Sequence, residues 1–233
     1  LSPLGADAPP PDMTTLWRSV LFVPGNRPEL AAKAPRSGPD AVVLDLEDAV
    51  PPAAKAAARD DVQQAAAELA GVLPVCVRVN SPGTHWFAED VAALPDGLAA
   101  VVVPKLDSAA HVADVAAALG DRAVVAGLET VRGVADAREV LVPPVAGCYF
   151  GAEDYIADLG GVRTPGNAEV AWARAFVAVA ARLSGIPALD MAANHSCQSR
   201  RGESGATMGS ARVGSPGLNG SSYDSQRVLR LGS

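Results

Sequence analysis

Several common features are missing from this sequence, and each absence removes a class of function. No run approaches about 18 uninterrupted apolar residues, so a membrane-spanning helix is not expected. No face is rich in Lys and Arg, and the net charge of −7 argues against a general nucleic-acid binder. No GxGxxG or P-loop pattern follows any strand-like run, which removes the usual dinucleotide and nucleotide cradles. The opening LSPLGADAPPPDM has neither a basic start nor an apolar segment, so it does not read as a signal peptide. Met13 is a candidate natural start, with the residues before it an upstream extension. Only three cysteines occur, Cys76, Cys148 and Cys197, scattered without metal-ligand spacing. Two of them fall inside apolar strand patterns, which predicts reduced, buried thiols in a cytoplasmic protein. His85, His111 and His195 sit away from the predicted strand ends, against a zinc site.

What the chain does have is small aliphatic residues. It is 49% hydrophobic but only 4% aromatic, a composition suited to strands covered on both faces by closely packed helices. From residue 16 onward one unit repeats: an apolar β-branched run, a polar or Gly/Pro turn, then an Ala-rich helix. The runs are SVLFVPG (19–25), AVVLDLED (41–48), PVCVRVN (74–80), AAVVVPK (99–105), AVVAGLET (123–130), GCYFGAED (147–154) and ALDMAA (188–193). Helices are predicted near 28–34, 53–70, 86–94, 108–119, 131–141 and 166–184, with Pro28 and Asp107-Ser108 as start signals. Repeats of about 25 residues favour parallel strands with right-handed crossovers. The predicted architecture is therefore a (β/α)8 TIM-type barrel with its chemistry at the carboxyl ends of the strands. A doubly wound open sheet is the alternative.

The pattern stops near residue 194. Nine Ser and seven Gly fall in residues 194–233, against six Ser in the first 193, and net charge turns from −10 to +3. The chain thus divides into a disordered extension (1–15), a barrel (16–193) and a tail (194–233) predicted to be disordered. No eighth strand is visible, so the barrel is expected to be incomplete, with strands one and seven left unpaired.

Three apolar strands deliver acids at their carboxyl ends: Glu47-Asp48, Glu129 and, just past strand six, Glu153-Asp154. Buried acids cost several kcal/mol unless paired or metal-bound. Glu129 and Asp154 end neighbouring strands, about 4.8 Å apart, and could share a hard cation that keeps several waters, which describes Mg2+. An Arg-paired acid rim is the other reading. Arg78 closes strand three, where it could clamp a carboxylate in two-pronged fashion and face an enolate oxygen, or pair with Glu47 or Asp48. The Gly151-Ala152 backbone is open enough to offer N–H groups to a bound carboxylate. Lys105 has two readings, a Schiff-base lysine or, preferred, an ion-pair partner for the acids. Arg18, Arg27, Lys55 and Arg59 lie near the first strand–helix junctions as candidates for the phosphates of a large acyl carrier.

Six blocks in this order, RSVLFVPGNRPE, VVLDLEDAVPPAAKAAAR, VRVN, VVPK, GLET and FGAEDYIADLGG, resemble the citrate lyase β-subunit-like family of Mg2+-dependent acyl-CoA lyases, over residues 17 to 193. The resemblance implies a (β/α)8 barrel, usually a homotrimer, that makes or breaks a C–C bond between a thioester and a 2-oxo acid. It implies Glu129 and Asp154 as Mg2+ ligands and Arg78 on the substrate carboxylate. The amides around Gly151, Ala152, Glu153 and Asp154 would complete the oxo-acid pocket. Glu47 and Asp48 would stand behind the ion, holding water and Arg78. Family members continue into an eighth strand with a CIHP-like motif and a C-terminal helical segment, neither recognisable after Ala193.

Overall fold

A computed structural model of the chain describes residues 17–193 and 226–230. The predicted extension, the tail residues 194–225 and 231–233, His195 and Cys197 lie outside the described residues. Eight strands close a barrel in sequence order: β1 (Ser19–Pro24), β2 (Ala41–Asp45), β3 (Val75–Arg78), β4 (Ala100–Val103), β5 (Val124–Leu128), β6 (Val145–Phe150), β7 (Ala188–Ala193) and β8 (Gln226–Arg230). The helices are α1 (Pro28–Ala31), α2 (Lys55–Leu69), α3 (His85–Ala92), α4 (Ala109–Leu119), α5 (Val131–Ala135), α6 (Ala137–Val140), α7 (Ala152–Leu159) and α8 (Ala171–Leu183).

The first seven strands are parallel neighbours, as the repeat predicts. An eighth parallel β–α unit is not among the described residues, so as a (β/α)8 barrel the fold is incomplete. The expectation of unpaired edges is nevertheless corrected. β8 pairs antiparallel with β1, Ser19 opposite Leu229, and antiparallel with β7, Leu189 opposite Arg230. Gln226–Arg230 is short and carries two arginines, so it offered no apolar run to read. Its gain is backbone hydrogen bonding on two exposed edges, a term blind to side-chain hydrophobicity.

Strand residues alternate between two environments. Val42, Leu44, Val77, Val101, Val103, Ala126, Leu128 and Phe150 face the helices in one continuous core. The opposite parity, Val20, Ala41, Val43, Cys76, Ala100, Val102, Val125 and Tyr149, fills the barrel interior. Small residues dominate inside because side chains converge there, and Phe22 and Tyr149 are the large rings that meet, 6.1 Å apart and edge-on. α4 shows how the helices are specified. Ser108 Oγ accepts from the His111 N–H at its start, Val112, Val115 and Leu119 form the buried stripe, and Gly120 ends it. Each such aliphatic contributes about 1.5–3 kcal/mol on burial, so a charge at Val115 would undock the helix.

Two boundaries differ from expectation. The single helix predicted over 131–141 is split at Asp136. α7, absent from the sequence reading, begins directly after β6, with Tyr155 buried against the Phe150 ring and Ile156 buried beside it in sequence. That immediate start brings its first turn to the carboxyl rim.

Candidate active site at the carboxyl ends of the strands

The inward parity runs past the strand ends and delivers charge. Asp45 and Arg78 are direct cross-strand partners in the β2–β3 register, and they meet side-on. Nε donates to Oδ1 at 2.7 Å and Nη2 to Oδ2 at 2.5 Å. Nη1 lies 3.0 Å from Glu47 Oε2, and the guanidinium carbon sits 5.3 Å from the Phe22 ring centroid. Burial opposes the Arg78 charge, but Asp45 beside it outweighs that and holds its pKa well above the usual value. Arg78 pairing with Glu47 was one of the two sequence readings. Asp45 was missed, because it sits inside the run AVVLDLED and looked like an interruption of a strand.

Lys105 bridges the other acids. Its Nζ is 2.7 Å from Glu47 Oε1, 3.6 Å from Asp48 Oδ2 and 3.8 Å from Asp154 Oδ2. Burial works against the ammonium, but the charge and hydrogen bond of Glu47 prevail and raise its pKa. These three contacts place Lys105 as an ion-pair partner of the acids, the arrangement of the preferred reading. Its backbone is in the left-handed region, φ 55°, a costly conformation for a side chain of this size. The bend lets Lys105 N–H donate to Glu129 Oε1 at 3.0 Å while the side chain reaches back to Glu47.

Glu129 is 2% exposed. Oε1 accepts from Lys105 N–H and, at 2.9 Å, from the Tyr149 hydroxyl. Burial, and then the charge of Glu47, push its pKa up to about 8. Burial likewise raises Glu47, with Asp48 adding to it and Arg78 and Lys105 opposing. Carboxylates so disfavoured as anions are short of positive charge, and a divalent cation would supply it. Glu129 Oε2 takes no hydrogen bond among the described residues, and Asp154 faces the same ammonium from the rim. The donor set of two carboxylates fits a hard cation that keeps water.

Gly151 serves differently from its expected part. Its N–H is spent on Leu128 O at 3.2 Å, and a Cβ there would collide with Glu129 Oε2 and Cβ. It makes room for the carboxylate. The free amides are those of the first turn of α7, Ala152 to Asp154, which have no intrahelical acceptor. Glu153 is exposed and pairs with Arg163 at 3.6 Å.

The basic residues proposed for carrier phosphates separate. Arg18 precedes β1 and pairs with Asp40 at the opposite, amino end of the barrel, so it is not brought to this rim. Lys55 donates to Leu46 O and Glu47 O at 2.7 and 2.8 Å, bracing the loop that carries Glu47. Arg59 is committed to Asp90 and Glu89. Both are buried on α2, and the Arg59 partners lie about thirty residues along the chain, which sequence spacing could not show. Arg27 pairs with Glu29.

Residues 18–212 match the HpcH/HpaI aldolase/citrate lyase family. The chain belongs to this family. A citrate lyase subunit beta-like protein of Deinococcus radiodurans is 53% identical over 195 residues, 79% of this chain and 67% of that protein. Other curated relatives are matched over as little as half their length. Among solved structures, the citrate lyase beta subunit of M. tuberculosis complexed with oxaloacetate and magnesium is 38% identical, with a TM-score of 0.67 over 77% of this chain and 80% of that one. A structure of protein CitE from M. tuberculosis in complex with magnesium, acetoacetate and coenzyme A is 39% identical, TM-score 0.64, over 74% of this chain and 64% of that one.

Proposed function

We propose that this chain is a Mg2+-dependent carbon–carbon lyase. It would cleave, or form, a 3-hydroxyacyl thioester such as citryl-, malyl- or citramalyl-CoA, giving an acyl thioester and a 2-oxo acid. The observation that carries this reading is Glu129: a buried carboxylate with one oxygen tied down, the other unengaged, and Asp154 and Arg78 at the same rim. The magnesium and oxo-acid complexes of relatives support it, as does the coenzyme A complex for the thioester.

Glu129 and Asp154 would hold the ion, which supplies Lewis-acid polarisation of the oxo acid's oxygens. Arg78 has five N–H bonds; two of them donate to Asp45, while Nη1 stands in an ion pair with Glu47 Oε2. The remaining N–H groups would grip the carboxylate of the oxo acid or face the enolate oxygen of the departing thioester. The Ala152–Asp154 amides add fixed donors on the other side of the carboxylate. Glu47 and Asp48 keep Arg78 and Lys105 in place, so the cluster needs no reorganisation as charge develops.

The family resemblance adds the expectation of a homotrimer, and the cysteine pattern that of a cytoplasmic setting. The buried, free thiols Cys76 and Cys148 agree with the second.

Turnover of the three CoA thioesters, compared with their free hydroxy acids, tests the proposal. Mg2+-dependent release of a 2-oxo acid from a thioester, abolished by EDTA, is the expected result. Cleavage of free hydroxy acids alone would instead make the chain a metal-dependent aldolase.

A further inference from the structure

We infer that Tyr149 is a positioning residue for the metal carboxylate: its hydroxyl selects which oxygen of Glu129 is turned to the cation. The inference rests on the metal reading above, and goes beyond it to a residue in the barrel interior that does not reach the rim.

Tyr149 is the largest side chain of the inner core, 5% exposed, on the inward parity of β6. Its register partner on β5 is Gly127, two residues before Glu129. A phenol inside an apolar layer must find a hydrogen-bond partner, and the Tyr149 hydroxyl donates to Glu129 Oε1 at 2.9 Å. Lys105 N–H donates to the same oxygen at 3.0 Å. Two donors on one oxygen fix the rotation of the carboxylate and leave Oε2 as the free lobe.

The backbone around this bond is carved to fit it. A Cβ on Gly127 would stand 2.6 Å from the Tyr149 hydroxyl oxygen and 2.7 Å from Glu129 Oε1, and a Cβ on Gly151 would strike the other side of the same carboxylate. Both glycines have φ outside the left-handed region, so neither is needed for a turn. Space for the carboxylate and its phenol partner is what each supplies. The Tyr149 ring in turn rests edge-on against Phe22, whose face carries Arg78. One aromatic pair therefore lies under both the metal carboxylate and the guanidinium, and fixes their spacing.

Three variants test this by Mg2+ calorimetry on the full chain, with near-ultraviolet circular dichroism as the check on packing. Tyr149→Phe keeps the ring against Phe22 and removes only the hydroxyl. Its Mg2+ dissociation constant should rise about 10-fold or more, the usual effect of losing a partner that orients a metal ligand, with the dichroism unchanged. Pyruvate affinity at saturating Mg2+ should stay near the parent value, a split that general loosening would not give. Gly127→Ala, which displaces the hydroxyl without deleting it, should weaken Mg2+ similarly. Glu129→Ala should not bind Mg2+, and adding Tyr149→Phe to it should change nothing further. Loss of binding in Glu129→Ala with parent-like affinity in Tyr149→Phe would overturn the positioning role while leaving the metal reading intact. Parent-like binding in Glu129→Ala would overturn the metal reading itself. Weakened binding that appears only with loss of the near-ultraviolet signal would also overturn the positioning role.

Discussion

The two rims of this barrel are built from the same strands and spend charge in opposite ways. At the amino end, Arg18 pairs with Asp40 with the arginine 83% exposed, and Arg122 approaches a fully exposed Asp96. Water screens such pairs, and they contribute little. At the carboxyl end, Asp45, Glu47 and Glu129 are each at least 95% buried and are served by Arg78 and Lys105. With Asp48 and Asp154, five acids gather there against Arg78, Lys105 and, behind the Glu47 loop, Lys55. A fold optimised only for stability would reverse this economy, because buried charge is costly and apolar replacements of similar volume are often neutral or better. The surplus of negative charge at one rim is what a bound cation would offset.

The largest break in this comparison is Arg78→Ala. It strands Asp45 without its cation and leaves Glu47 with Lys105 alone, and removal of one member of a buried pair costs about 3–5 kcal/mol. Denaturant unfolding should show that loss, and oxo-acid affinity should fall with it. A destabilisation as small as that of a surface pair would mean that the rim is solvated after all.

A smaller effect sharpens the account of Lys105. Lys105→Ala removes the ammonium that faces Glu47, Asp48 and Asp154 and should cost about 1–3 kcal/mol. Lys105→Gly removes the same ammonium but relieves the φ 55° backbone, so it should be more stable than the alanine variant by about 1 kcal/mol. Chemical denaturation of the two side by side reads the difference. Alanine equal to or above glycine would show that the left-handed conformation costs nothing.

Much of this was legible in the sequence where local pattern carries the information. The seven parallel strands, their carboxyl-end acids and the Arg78–Glu47 proximity all follow from apolar periodicity and from what ends each run. Asp45 was not legible, since its role depends on standing beside Arg78 in the β2–β3 register, and register is a tertiary fact. Tyr149 read as one more apolar strand residue, because a phenol and a core ring look alike until Gly127 and Glu129 are brought opposite it. Arg18 looked like its neighbours in sequence, but preceding β1 instead of following it puts it at the wrong end of the barrel. β8 was hidden because its contribution is backbone pairing, and Gln, Arg and a five-residue length give no hydrophobic signature. α7 was hidden for the converse reason: its buried Tyr155 and Ile156 merged with the apolar run before them.

The most direct measurement is Mg2+ calorimetry on variants from the two rims. The parent should bind Mg2+, and pyruvate should bind only with it. Asp40→Ala, at the amino rim, should match the parent, while Asp154→Ala, at the carboxyl rim, should lose most of the affinity because one protein carboxylate holds the ion too weakly. Equal Mg2+ affinity in parent and Asp154→Ala, or loss in Asp40→Ala alone, would contradict the assignment of the carboxyl rim as the metal site.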